Sequence, residues 1–134
     1  MSERSAVDTN VVIHLHDVLN PPRQAVVEKL MAQKPLVSAQ VVSEYFNVLQ
    51  RRLHTSKQEA LLMGIDVFAD CEIIPTTHAT LANAARLLAR YDFQLFDALI
   101  VAAALDAGCT VLYSADFQHQ QLIEGRLRLL NPFR

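Results

Sequence analysis

Four carboxylates carry most of this chain's chemical potential. They are Asp8 in Asp8-Thr9-Asn10, Glu44 in Val42-Ser43-Glu44-Tyr45, Asp97 at the head of Asp97-Ala98-Leu99-Ile100-Val101, and Asp116 after Tyr113-Ser114-Ala115. Carboxylate oxygens gathered in one place suit hard divalent cations such as Mg²⁺, which take oxygen ligands and keep several waters. A cation held that way can activate water and stabilise charge on a phosphoryl group.

Each acid also has a plainer role. Asp8 stands at a strand-to-helix turn, where Asp, Thr and Asn side chains satisfy free backbone N–H groups. Asn10 is the better cap, which leaves Asp8 at a strand end with no structural duty. Glu44 falls off the main apolar stripe of its helix, near Val48, where a solvated glutamate is ordinary. Asp97 fits an N-cap or first-turn position favoured by the helix dipole. It is, however, wedged between Phe96 and a helix with almost no polar residues. Such a helix must be buried, so Asp97 is expected at a cleft. Asp116 fits a turn after a strand.

The elements that would position these acids alternate between strand and helix. Ser5–Val7 reads as a strand ending at Asp8. From Asn10, the residues Val11, Val12, Leu15, Val18 and Leu19 recur at helical spacing. Pro21 and Pro22 open a second helix with Val26, Val27, Leu30 and Met31 on one face. Pro35 to Ser38 is a strand running into a helix capped by Ser38, which turns Val41, Val42, Tyr45, Phe46, Leu49 and Leu53 to the core. A further helix spans Lys57 to about Ala69, and Cys71 to Ile74 is a strand closed by Pro75. Thr77 caps a helix expected to bury Leu81, Ala84, Ala85 and Leu88. Asp97 begins the apolar helix that ends at Gly108. Cys109 to Tyr113 is an apolar and therefore central strand, and a last strand lies near Leu127 to Leu130. This alternation predicts an α/β fold, a three-layer α/β/α sandwich with a mainly parallel sheet of four to five strands. Ligands of such sheets gather at the carboxyl ends of the strands, where Asp8 and Asp116 would stand.

Composition sets the bounds. A length of 134 residues suits one domain, taken as 1–134, and 51% hydrophobic residues supply a core. Three glycines argue against a turn-rich all-β fold and against a glycine-cradled nucleotide site. The net charge of −2 excludes nucleic-acid binding by bulk charge alone, so local basic patches or bound cations would have to attract phosphate. Arg51, Arg52, His54 and Lys57 form the one local basic cluster, a solvated helix end or a contact for a phosphate backbone. Cys71 and Cys109 are isolated, as expected of buried hydrophobes in a reducing compartment. His14 and His16 point to different helix faces, and all five histidines are read as surface or structural residues. Asp92 and Asp106 read as loop and helix-end residues. The apolar run from Ala98 to Leu105 is far short of the roughly 20 residues that span a bilayer. A soluble, cytoplasmic protein is expected.

The motifs, taken in order, resemble those of the PIN-domain family, in its VapC-like toxin branch. Asp8-Thr9-Asn10 after a short apolar strand is similar to the opening motif, and Val41-Val42-Ser43-Glu44 to the glutamate motif. Phe96-Asp97-Ala98-Leu99-Ile100-Val101-Ala102-Ala103-Ala104 resembles the most diagnostic stretch. Leu112-Tyr113-Ser114-Ala115-Asp116-Phe117 resembles the last motif, and Asn131-Pro132-Phe133 a common ending. The resemblance implies a Mg²⁺- or Mn²⁺-dependent ribonuclease whose acidic pocket is Asp8, Glu44, Asp97 and Asp116, with Asp8 and Asp97 as principal ligands. Thr9, Asn10 and Ser114 would orient carboxylates or phosphate, and Arg51, Arg52 and Lys57 would contact the RNA backbone. It further implies a homodimer and a small antitoxin that blocks the cleft. Relatives often carry an acid where Ala115 stands here, and some a further one at the place of Gln118, so this pocket would have four carboxylates rather than five.

Two other readings are considered. A catalytically weak PIN-like protein would act mainly by binding a partner, antitoxin or RNA. An aspartyl phosphatase would need a second aspartate two residues after the first, and Asn10 cannot supply that acid.

Overall fold

A computed structural model describes residues 3–134. Its elements run β1 (Ser5–Val7), α1 (Thr9–Val12), a short 3₁₀ turn (Ile13–His16), α2 (Pro21–Ala32), β2 (Val37–Ser38), α3 (Ala39–Leu53), α4 (Lys57–Val67), β3 (Ile73–Ile74), α5 (His78–Arg90), α6 (Leu95–Asp106), β4 (Val111–Tyr113), β5 (Leu122–Ile123) and β6 (Leu127–Leu130). Four strands form a sheet in the order β1-β4-β6-β5, parallel except for the β5–β6 pair. β2 and β3 make a separate parallel pair. A single bridge, Ala6 to Leu36, seats that pair beside β1: the Leu36 N–H donates to the Ser5 carbonyl (2.8 Å) and the Val7 N–H to the Leu36 carbonyl (3.3 Å). This is the expected α/β architecture with a mainly parallel sheet.

The apolar strands and helices bury what their sequences predict. β4 is interior in its sheet, with Val111 and Leu112 buried. α6 buries every residue from Ile100 to Leu105 as well as Ala98. A helix apolar on all sides must be enclosed; here enclosure begins at Ala98, while Leu95 and Phe96 in the first turn, beside Asp97, remain exposed. α3 buries Val41, Tyr45 and Leu49 outright, with Val42 and Phe46 partly covered, while Leu53 at its end is exposed. α2 buries Val27 and Leu30, with Val26 and Met31 packed at the margin.

Several expectations need correction. The helix after Asp8 does not extend to Leu19: α1 tightens into a 3₁₀ turn that ends at His16, and Val18 and Leu19 are exposed. Asn20 then caps α2 by accepting from the Arg23 N–H. Asp8, not Asn10, is the N-cap of α1, because the helix starts directly at Thr9. α5 buries Thr80, Ala84 and Leu87, whereas Leu81, Ala85 and Leu88 face solvent. Asn83, Arg86 and Arg90 give the helix a polar side, but its contact face is turned from Leu81 and Leu88 toward Thr80, Ala84 and Leu87, with Thr80 held in the Thr77–Thr80 capping box. α6 starts at Leu95, which makes Asp97 a first-turn residue. The hairpin strand β5 has only two residues and no sequence signal of its own.

Candidate active site

The strand ends place the acids. β1 and β4 run in parallel and side by side, so the chain leaves both at the same edge of the sheet: Asp8 follows Val7, and Ser114 to Asp116 follow Tyr113. The Asp8 N–H donates to the Tyr113 carbonyl (2.9 Å), which ties the two exits together. α6 brings its first turn, with Asp97, to that edge. α3 presents Glu44, Asn47, Val48 and Arg51 along one face, the spacing of successive helical turns. A cleft of about 400 Å³ results, lined by Asp8, Thr9, Asn10, Glu44, Arg51, Arg52, Asp97 and Asp116 among others. The structure thus brings all four predicted carboxylates to one cleft. Two of the three proposed backbone-binding cations line it as well. Lys57 opens α4 and is not among the lining residues.

Asp8 is 4% exposed and is the most constrained acid. Its carboxylate accepts from the Thr9 N–H (2.7 Å), the Ser114 hydroxyl (2.9 Å) and, at 3.5 Å, the Asn10 amide. Ser114 in turn accepts from Asn10 Nδ2 (3.3 Å) and from the Asp116 N–H (3.3 Å), which saturates its hydroxyl. Asn10 closes the ring by accepting from the Ala115 N–H (3.1 Å). Glu44 is held from two sides: Thr9 donates to one oxygen (3.1 Å) and Gln40 to the other (2.9 Å). Gln40 also donates to the Phe96 carbonyl (3.1 Å), so one amide links α3 to the start of α6. Sequence reasoning singles out Thr9, Asn10 and Ser114 but passes over Gln40. Its position four residues before Glu44, one helical turn away, is the signal that could find it.

Electrostatics reflect the crowding. Burial pushes the Asp8 carboxyl up to about 6; hydrogen bonds from Ser114 and the Thr9 N–H oppose the rise, and the charges of Glu44 and Asp97 add to it. Burial also raises Asp97, helped by Asp116 and Glu44. The set is oxygen-only, without His or Cys, and suits a hard divalent cation that would relieve this mutual repulsion. Among the described residues the side chains are not drawn into a group of three or more that could already hold a metal ion. The donors therefore fit such an ion in kind and location, with closure of the carboxylates around it still required.

The histidines take structural parts: His14 pairs with Asp17 and packs edge-on against Phe133, and His16 Nε2 meets the Tyr45 hydroxyl (2.7 Å). His119 accepts from the Asn131 N–H (2.9 Å). Cys71 and Cys109 are free thiols. No helix among the described residues is long and apolar enough to cross a membrane.

Comparison with known proteins agrees with this geometry. The chain matches the PIN domain family over residues 6–124. No curated protein matches it. Among solved structures, a toxin–antitoxin complex from Klebsiella pneumoniae is similar with a TM-score of 0.71 at 18% identity, over 96% of this chain and 97% of that one. A sarcin-ricin-loop-cleaving VapC toxin of Mycobacterium tuberculosis is similar with a TM-score of 0.67 at 21% identity, over 91% and 98%. DNA-bound VapBC from Salmonella typhimurium gives 0.70 at 15% identity, over 96% and 97%. At such identities these likenesses concern the fold. The family match, running from β1 through β5 and taking in every acid of the cleft, shows that the chain belongs to the PIN domain family.

Proposed function

We propose that this protein is a metal-dependent endoribonuclease that hydrolyses RNA phosphodiester bonds, the toxin of a toxin–antitoxin pair, acting in the cytoplasm as a single domain of residues 1–134. The observation that carries the reading is the convergence of Asp8, Glu44, Asp97 and Asp116 on one cleft beside Arg51 and Arg52. Mg²⁺ or Mn²⁺ held there would supply charge neutralisation at the phosphoryl group and a more acidic water for hydrolysis. Asp8 and Asp97 would be its principal ligands, with Glu44 and Asp116 completing the set. The chain's own part is preorganisation. Ser114, Asn10 and the Thr9 N–H aim Asp8, while Thr9 and Gln40 aim Glu44, so that few rotamers need freezing when substrate arrives. Arg51 and Arg52 sit where they can bind phosphates of the incoming strand, offsetting the repulsion of the acids.

A protein partner is proposed alongside. α4 exposes Leu61, Leu62 and Ile65, each more than half accessible, on neighbouring turns. Such an apolar stripe favours covering by another chain, in keeping with an antitoxin or a second copy of this protein. The VapBC and toxin–antitoxin assemblies among the similar structures support the antitoxin. The same stripe favours the second reading, a catalytically weak PIN-like protein that works through partner binding, which Ala115 also suits.

The deciding experiment is cleavage of a mixed-sequence RNA with Mg²⁺, Mn²⁺ or EDTA, beside Asp97→Asn. Metal-requiring cleavage that disappears in the variant is expected. Identical behaviour of wild type and variant, with no metal binding by calorimetry, would overturn the nuclease reading in favour of partner binding.

A further inference from the structure

A second cleft of about 370 Å³ adjoins the acidic one and shares Asp97 and Asp116 with it. The other walls of the two differ in kind. The first cleft has Arg51 and Arg52, whereas the lining of the second contains no basic residue. In their place stand two aromatic rings, Phe93 and Phe117, three glutamines, Gln94, Gln118 and Gln121, and a third carboxylate, Asp92. Phe93 and Phe117 meet edge to face at 5.5 Å, and Tyr91 stacks on Phe93 at 5.6 Å, so the aromatic wall is braced from behind. Gln118 and Gln121 spring from one turn, closed by the Gln121 N–H donating to the Gln118 carbonyl (3.2 Å).

This lining selects against phosphate and for a neutral planar group. Carboxylates without a neighbouring cation repel a phosphodiester, whereas a nucleobase is uncharged, has a π-face and presents donors and acceptors along its edges. Aromatic rings stack with unpaired bases, and a glutamine amide offers both a donor and an acceptor to a base edge. We propose that the second cleft is a nucleobase pocket. It holds an unpaired base of single-stranded RNA beside the scissile phosphate, by stacking on the Phe93–Phe117 wall and by hydrogen bonds from Gln94, Gln118 and Gln121. The inference rests on the nuclease reading for the identity of the strand. Together the two clefts give that strand a direction, with backbone against the arginines on one side of the acids and base against the glutamines on the other.

The test uses Gln94→Ala/Gln118→Ala/Gln121→Ala, and Gln118→Ala alone, an exposed position, should the triple variant melt lower than wild type. Binding of a short fluorescent single-stranded RNA is followed by anisotropy in EDTA. The RNA is supplied intact and with an abasic site placed at each position in turn. The triple variant is expected to bind about five- to hundredfold more weakly. One abasic position should weaken wild type by a similar factor and weaken the variant little further. In Mn²⁺, the variant should cut a randomised RNA pool at less selective sites. Wild-type affinity, additive abasic losses and an unchanged site profile would overturn the pocket while leaving the nuclease intact. If wild type binds RNA but never cuts it, the nuclease reading fails, and anisotropy alone still decides for or against the pocket by the same two outcomes.

Discussion

At the residue scale, Asp8 combines the greatest burial of the four acids with the greatest cost. Its folded carboxyl titrates at about 6 against an ordinary 3.8. Between those values the folded protein keeps a proton that the unfolded chain has released. Stability therefore falls as pH rises from about 4 to about 6 and stays low above that, by about 3 kcal/mol. Asp8→Asn is expected to stabilise the metal-free protein by about 1–3 kcal/mol at about pH 7 and to flatten this dependence, while abolishing cleavage. Urea titrations across that pH range check it; a variant less stable than wild type at neutral pH would refute the assignment. Mn²⁺ should raise the melting temperature of wild type and leave that of Asp8→Asn unmoved. Ser114→Ala removes a donor that holds the carboxylate charged, so Asp8 should titrate higher still, which carboxyl NMR of labelled aspartate would register. The four acids are legible in the sequence because each sits in a motif with strand or helix grammar around it. The duty of Asp8 as a cap is not: whether the helix starts at Thr9 or two residues later depends on the Asp8–Tyr113 backbone bond, a contact more than 100 positions away.

At the scale of elements, the crossing of α3 and α4 turns on one glycine. A Cβ built at Gly64 would lie 2.3 Å from a ring carbon of Phe46. At Gly64 the Phe46 ring of α3 packs directly on the α4 backbone and fills the space a methyl would take. Gly64→Ala should cost about 1–3 kcal/mol despite the higher helix propensity of alanine. Phe46→Leu in the same chain should recover part of that loss, as chemical denaturation of the single and double variants would show; full additivity would mean that the ring is not the obstacle. Sequence signals are strong for elements with one-sided patterns, as in α3, or with wholly apolar content, as in α6. They mislead at α5, where Asn83, Arg86 and Arg90 mark a polar side, yet packing buries Thr80, Ala84 and Leu87 and leaves Leu81 and Leu88 exposed. They also overrun α1, because Val18 and Leu19 continue a spacing that a tight turn at Asp17 interrupts. Two-residue strands such as β5 have too few side chains to set any period and exist through pairing with β6.

At the scale of the whole molecule, the protein is slightly acidic, and four of its fourteen acids line the cleft that would meet RNA. Affinity should therefore depend on the arginine pair. Arg51→Ala/Arg52→Ala is expected to weaken RNA binding evenly across sequences. It should also reduce the slope of log affinity against log salt by about 0.7 for each phosphate left without its arginine. Both side chains are exposed, so stability should change by no more than about 0.5 kcal/mol. A salt-series binding measurement on wild type and variant distinguishes this from a collapse of the site, which would also lower the melting temperature. The sequence displays the basic cluster but cannot separate Arg51 and Arg52 from Lys57, since only the direction of α3 toward the cleft, and the turn at His54 in the left-handed region, sends them to different places.

Among the described residues one bridge, Ala6–Leu36, joins the two sheets, and the acids fall unequally on its two sides. Asp8 and Asp116 leave the four-stranded sheet, whereas Glu44 rides on the helix that follows β2. Main-chain hydrogen bonds across this seam are few, and side chains carry the rest of the joint: Thr9 to Glu44, Gln40 to the Phe96 carbonyl, His16 to Tyr45 and a shared apolar core. Backbone amides at Val37 and in β3 should exchange with deuterium sooner than those of β4, and the width of the acidic cleft would follow that opening.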